Sequence, residues 1–372
     1  MHRTVFNGRF LGQPQTGVQR YAKETLLALD RLLDESPALR ADIDPVLAVP
    51  ANTPVPALKA IRVKVLPWLQ GHAWEQITLA AYARTSLLVN FNYSGPLFKR
   101  KQIVTLHDAT VVVSPESFST AYKAVHHLMV RILGRRAATM MTVSEFSRDE
   151  ITKHFRLNRP IVVGREGWEH AVAVGDAATT LAKYGLESGR YVLAVGSIKP
   201  NKNFRIIDDA LARLPTFPWT VAIAGAKNLD IFRDADRVPA YVKTLGFVSD
   251  AELGHLYRHA AWFVFPSLYE GFGLPAIEAM GNGCPVLAAR AASIPEVCGD
   301  AAVYFDPHDA VSLADALNRA ATDAALATTL RERVVARLSR YSWRANARIV
   351  ADQIIALHGP RRASRLVPRE EP

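Results

Sequence analysis

The 372-residue chain predicts an α/β protein built from two doubly wound parallel sheets. Three features carry that expectation. Short β-rich runs alternate with helical patterns; the alternation occurs in two successive series; and between them, from about residue 165 to 188, the pattern lapses into Gly, Ala and Thr. Strands that alternate with helices pair in parallel and are covered on both faces. The length suits two domains of roughly 170 to 190 residues each.

In the first series the expected strands are Thr4–Asn7, Val46–Val49, Ile61–Val65, Leu87–Asn90, Ile103–His107 and Met140–Val143. A helix is expected over Val18–Leu33, where Val18, Tyr21, Thr25, Leu26, Leu29 and Leu33 recur at helical spacing. A second helix, Ser119–Arg136, sets Val125, Leu128, Met129, Ile132 and Leu133 on an apolar face expected to enter the core. Its polar side carries Lys123, His126, His127, Arg131 and Arg135. The second series has strands at Tyr191–Val195, Thr220–Ala224, Trp262–Phe265, Val286–Ala289 and Ala302–Phe305. Its helices are expected near Phe204–Leu214, Asp250–His259, Pro275–Asn282 and Asp309–Ala321. The last helix, Ser342–His358, has no sheet left to serve and is expected to cross back to the first domain. The Pro- and Arg-rich residues 359–372 read as a flexible tail. The expected division is therefore 1–170, 171–341, a helix over 342–358, and the tail.

Composition is that of a folded soluble chain, 49% hydrophobic and 22% charged. Two cysteines, Cys284 and Cys298, are too few for a disulfide framework and read as reduced thiols. With no signal-like start and no apolar run of membrane-spanning length, the expected location is cytoplasmic. The net charge of +10 is concentrated in residues 1–180, which hold 22 Lys/Arg against 15 Asp/Glu. No zinc-finger spacing or aromatic-basic interleaving points to nucleic acid. The surplus reads either as a solvated basic face or as a peripheral contact with an anionic lipid surface or phosphate-bearing acceptor.

The most informative segment runs from Phe265 to Glu278. A strand ends at Pro266, a Gly-rich loop follows, and Pro275 begins a helix. The backbone N–H groups of Phe272, Gly273 and Leu274 are then left at a helix start, suited to anions and sugar hydroxyls. Glu270 precedes the helix and Glu278 lies in it, two carboxylates able to accept hydrogen bonds from vicinal hydroxyls. Gly271–Ala276 also fits the dinucleotide pattern G-x-G-x-x-A, but proline stands inside it and Glu270 would oppose the pyrophosphate.

Glu270 through Glu278 resembles the E-x7-E signature of the retaining glycosyltransferases of family 4. Gly281–Val286, Ser293–Val297, Gly299–Ala302, Phe305–Pro307, Gly17–Tyr21, Thr105–Asp108 and Thr142–Ser147 resemble that family's other elements in order. The resemblance implies the GT-B fold, two Rossmann-like domains facing across a cleft, the first binding acceptor and the second nucleotide sugar. It implies that Glu278 binds ribose and that Glu270, with the amides of Phe272, Gly273 and Leu274, holds the transferred sugar. Lys202 resembles the diphosphate lysine and His107 the histidine near the anomeric carbon. Gly17 and Arg148 would approach the phosphates, and Phe247 and Val248 would bracket the base. The family's arginine is replaced by Ser197 or Asn201, leaving Lys199 as a candidate second cation.

The expected activity is transfer of a sugar, mannose by association, from a GDP- or UDP-linked donor to a glycan or polyprenyl-diphosphate-linked saccharide in O-antigen or exopolysaccharide synthesis. No cofactor or metal is expected. Two D-x-D spacings, Asp42-Ile43-Asp44 and Asp234-Ala235-Asp236, read as solvated acids. Alternatives are a nucleotide-sugar epimerase and a non-catalytic sugar-nucleotide or glycan-binding relative.

Overall fold

A computed structural model describes residues 3–197, 199–214, 216–225 and 241–359. The pair Asp234-Ala235-Asp236 and the tail beyond 359 lie outside the described residues. Seven strands form the first sheet: β1 Thr4–Asn7, β2 Pro45–Pro50, β3 Arg62–Leu66, β4 Leu87–Asn90, β5 Gln102–Thr105, β6 Thr139–Thr142 and β7 Ile161–Val163, in the order β3-β2-β1-β4-β5-β6-β7. Six form the second: β8 Tyr191–Val195, β9 Thr220–Ala224, β10 Val242–Gly246, β11 Trp262–Phe265, β12 Val286–Ala289 and β13 Ala302–Phe305, in the order β10-β9-β8-β11-β12-β13. The pairings are parallel, as between β8 and β11, where Trp262 meets Val192 and Phe263 meets Leu193. Each order reverses once, between β1 and β4 and between β8 and β11. Such reversals open a crevice at the carboxyl ends of the strands, where ligands bind on doubly wound sheets.

The inner strands are apolar on both faces, as burial by helices on either side requires. Trp262–Phe265 and Val286–Ala289 are wholly buried, and the Phe263 and Phe265 rings stack at 5.7 Å. The edge strand β3, Arg-Val-Lys-Val-Leu, is exposed over its first four residues, and its charges discourage edge pairing. Helix Gly17–Glu35 buries Tyr21, Leu26, Leu29 and Leu33. It also buries Asp30, whose carboxylate accepts three backbone N–H groups from Lys59, Ala60 and Ile61 at 2.8–2.9 Å. By contacts, the residues up to Thr105, with Ile132–Met140 and those from Ala347 onward, form one unit; Leu106–Arg131 with Met141–Asn346 form the other.

Three expectations need correction. Helix Thr120–Arg136 buries His126, Val130 and Leu133, while Val125 and Leu128 are 66% and 61% exposed. Its apolar residues occupy more than half the circumference, so spacing alone did not select the inward face. The stretch 165–188 is no bare connection. It contains helix Ala177–Tyr184, capped by Asp176 and packed through Leu181 and Tyr184 on the second sheet's core. Strands β7 and β10 were not expected, being short or, in Val-Lys-Thr-Leu-Gly, without an apolar run. Both cysteines are buried and unbonded; burial pushes the Cys298 thiol up to about 12. Among the described residues no helix is long and apolar enough to cross a membrane.

Candidate active site

The site lies at the reversal between β8 and β11. The chain leaving β8 turns at Gly196 and makes a short turn, Pro200–Lys202, closed by Asn203 in the left-handed region at φ 54°. The chain leaving β11 makes the loop Pro266–Gly273. Asn201 joins the two: its carbonyl accepts the Leu268 N–H at 2.8 Å, and its amide donates to the Tyr269 carbonyl at 3.3 Å. Lys202 Nζ and Glu270 Oε1 thereby meet at 2.5 Å, both side chains about one-sixth exposed. Beside them, β8, β9 and β10 each run into a glycine of positive φ: Gly196, Gly225 and Gly246. A Cβ on Gly225 would stand 2.8 Å from the Gly196 carbonyl, so this floor is backbone on backbone.

The loop's carbonyls are drawn into the protein. Ser144 and Ser147 hydroxyls donate to the Gly271 carbonyl at 2.5 and 2.8 Å, and the Ser293 hydroxyl reaches the Glu270 and Phe272 carbonyls at 2.9 and 2.8 Å. In a trans peptide the N–H points opposite the carbonyl. Anchoring these oxygens therefore turns the N–H groups of Gly271, Phe272 and Gly273 the other way. Among the described residues no acceptor meets the N–H of Phe272, Gly273 or Leu274. Gly273, at φ 106°, caps helix Leu274–Gly281, whose first N–H groups add to this donor cluster.

Gly271 presses against the segment after β5. A Cβ there would lie 2.6 Å from the His107 carbonyl and 2.9 Å from Asp108 Cβ. His107 is buried at this contact, and Asp108 caps the following turn by accepting the Thr110 N–H at 2.8 Å. Glu296 accepts the N–H groups of Glu145 and Phe146, both at 3.0 Å, at the start of helix Glu145–Phe155. It thus fixes the helix that carries Ser147.

Glu278 is 6% exposed and held at both oxygens, by His170 Nε2 at 2.8 Å and the Tyr257 hydroxyl at 3.0 Å. The Trp343 indole N–H can only donate, and it donates to His170 Nδ1 at 3.0 Å; Nε2 therefore carries the proton given to Glu278. His170, Tyr257 and Trp343 escaped the sequence reading, as did Glu166, which is 5% exposed. Burial, then the carboxylates of Glu278, Glu270 and Asp108, hold the Glu166 carboxyl well above the ordinary range. A signal for this segment existed in Gly164-Arg165-Glu166-Gly167: a Cβ on Gly164 would meet Asn346 Oδ1 at 2.4 Å, and one on Gly167 the Trp343 N at 2.3 Å.

The structure therefore brings together Lys202, Glu270, Phe272, Gly273, Leu274 and His107. For the other expected residues the local surroundings are as follows. Arg148 is ion-paired on its helix surface with Glu145 and Asp149. Lys199 is exposed, and Phe247 is 80% exposed beside half-buried Val248, just past β10. Gly17 opens its helix, and a Cβ there would meet nothing within 4 Å, so packing does not demand a glycine. Asp44 precedes β2 and pairs with Arg3 and Arg62.

Residues 189–323 match the family model described as glycosyl transferases group 1. The chain is 28% identical over 276 residues to O-antigen chain mannosyltransferase B of Escherichia coli, covering 68% of this chain and 71% of that protein. It is 26% identical over 327 residues to the O-antigen chain mannosyltransferase RfbU of Salmonella typhimurium, covering 84% and 89%. Its fold is similar to that of WaaG, a glycosyltransferase involved in lipopolysaccharide biosynthesis, with TM-score 0.71 and 16% identity over 94% of this chain and 99% of that one. Both sheets thus have the GT-B fold, and residues 189–323 form a group 1 glycosyltransferase domain.

Proposed function

We propose that the chain transfers mannose, with retention and without a metal, from a nucleoside-diphosphate donor to a growing cell-surface glycan on a polyprenyl diphosphate. The observation that carries the reading is the meeting of Lys202 with Glu270, on the same loop whose Phe272 and Gly273 N–H groups have no acceptor among the described residues. Cleavage of the bond from the anomeric carbon to phosphate builds negative charge on the leaving oxygen, and fixed donors lower that barrier. Lys202 and these amides supply them, with Lys199 as a second cation. Glu270 and His107 orient the sugar, and Glu278 receives the ribose hydroxyls. The acceptor oxygen bonds to the anomeric carbon on the face that phosphate leaves, and its proton passes to the departing phosphate oxygen. Mannose is favoured by the names of the relatives in Escherichia coli and Salmonella typhimurium.

For the acceptor, the first unit offers a groove of about 340 Å³, lined by Gln13, Gln15, Gln19 and Lys23 together with apolar Phe10, Leu11 and residues 54–56. Such amide and ammonium groups suit a glycan. The exposed Tyr122, Val125 and Leu128, on a helix that also carries Lys123, Arg131 and Arg135, support peripheral contact with an anionic leaflet. The test incubates GDP-mannose, UDP-glucose and related donors with and without a polyprenyl-diphosphate saccharide, in EDTA and in Mg²⁺. Transfer from GDP-mannose in EDTA is expected. A new epimer from donor alone, or activity only with metal, would overturn the scheme.

A further inference from the structure

Glu166 follows β7 on a segment that cannot shift easily, because Gly164 and Gly167 pack where no Cβ fits. The residue is 5% exposed, and among the described residues its carboxyl has no hydrogen-bond or ion-pair partner. The titratable groups facing it are the carboxyls of Glu278 on helix Leu274–Gly281, Glu270 on the β11 loop and Asp108 after β5. The basic groups nearby are already engaged: Lys202 by Glu270, His170 by Glu278, and Arg165 by Glu145 and Glu296. An ionised carboxylate there would be an unpaired charge among like charges, so the group resides as the neutral acid. A neutral acid donates one O–H, whereas its three neighbours only accept. A sugar hydroxyl set among carboxylates gives its proton to one of them and leaves its lone pairs unmet.

We propose that Glu166 is a donor-binding residue that acts as the uncharged acid, giving its O–H to a hydroxyl of the nucleotide sugar held between Glu270 and Glu278. The inference rests on the nucleotide-sugar reading above and adds, among the described residues, a proton donor not already engaged by Glu270 or Glu278. The hydroxyl belongs to the transferred sugar or to the ribose, and the experiment separates the two.

The full-length parent, Glu166→Gln and Glu166→Leu are compared in two measurements. The first is thermal unfolding of the protein alone from about pH 5 to about pH 8. An acid whose folded pKa exceeds its unfolded value favours folding most at low pH, and that advantage is lost as pH rises between the two values. The melting temperature of the parent should therefore fall relative to that of E166Q as pH rises above the ordinary 4.5 of glutamic acid. A difference that stays constant overturns the proposal. The second is calorimetric binding of GDP, GDP-mannose, UDP and UDP-glucose. Glu166→Leu should weaken the donor that the parent binds by roughly three- to tenfold, and E166Q, which keeps an N–H donor, should recover most of that loss. Loss for the sugar nucleotide alone assigns the contact to the transferred sugar; equal loss for the nucleoside diphosphate assigns it to the ribose. Parent-like affinity in Glu166→Leu overturns the proposal alone. A parent that binds none of the four nucleotides overturns the nucleotide-sugar reading, and this proposal with it.

Discussion

Replacing Gly271 with alanine tests whether the site depends on how closely its loop is seated. The new methyl would start 2.6 Å from the His107 carbonyl oxygen, and ordinary contact begins at 3.4 Å, so the loop must retreat by about 0.8 Å. The obstacle is backbone, which cannot rotate aside as a side chain could. The retreat stretches the bonds from Ser144 and Ser147 to the Gly271 carbonyl, now 2.5 and 2.8 Å, and moves the amides of Phe272 and Gly273 with it. Overpacking of this kind costs about 1–3 kcal/mol of stability. A misplacement near 1 Å at a reacting centre costs on the order of a hundredfold in rate. Glu278 is held independently by His170 and Tyr257, so nucleotide affinity should fall far less than turnover. Initial transfer rates, nucleotide calorimetry and thermal melts on one preparation measure all three. An alanine variant as fast and as stable as the parent would refute the claim that this contact sets the loop.

Lys202→Ala should lower turnover by roughly 10²–10³, the usual effect of removing an oxyanion stabiliser, and parent-like rates would remove it from the leaving-group site. Glu278→Ala should weaken nucleotide binding by about 1–3 kcal/mol by calorimetry, and unchanged affinity would place the ribose elsewhere. Glu296→Ala strips the acceptor from the Glu145 and Phe146 N–H groups and should cost about 0.5–2 kcal/mol in denaturant unfolding. Turnover should fall with it, because that helix carries Ser147; unaltered stability would show that Glu296 does not cap it.

The elements that bear the chemistry were legible because their signals are local. Thr4–Asn7, Leu87–Asn90, Tyr191–Val195 and Trp262–Phe265 coincide with observed strands, and Asp250–His259 with an observed helix. The Gly-rich turn into helix Leu274–Gly281 announced itself by glycine, proline and two glutamates in one short stretch. Where a segment could satisfy its pattern in two ways, the sequence was silent. Helix Thr120–Arg136 offered apolar residues on several faces, and His126, not Val125, went inside.

From the sequence alone came two parallel-sheet α/β series, a helix-start loop between acids, and the residue types that such a loop needs. Only the tertiary structure decided which distant groups complete it. Lys202 reaches Glu270 across 68 positions and His170 reaches Glu278 across 108. The carboxyl of Glu166 faces three acids from separate segments. Periodicity is a property of neighbours along the chain. A contact near 3 Å depends instead on which strand ends lie side by side, and the order β9-β8-β11-β12 sets that only once the whole sheet has formed.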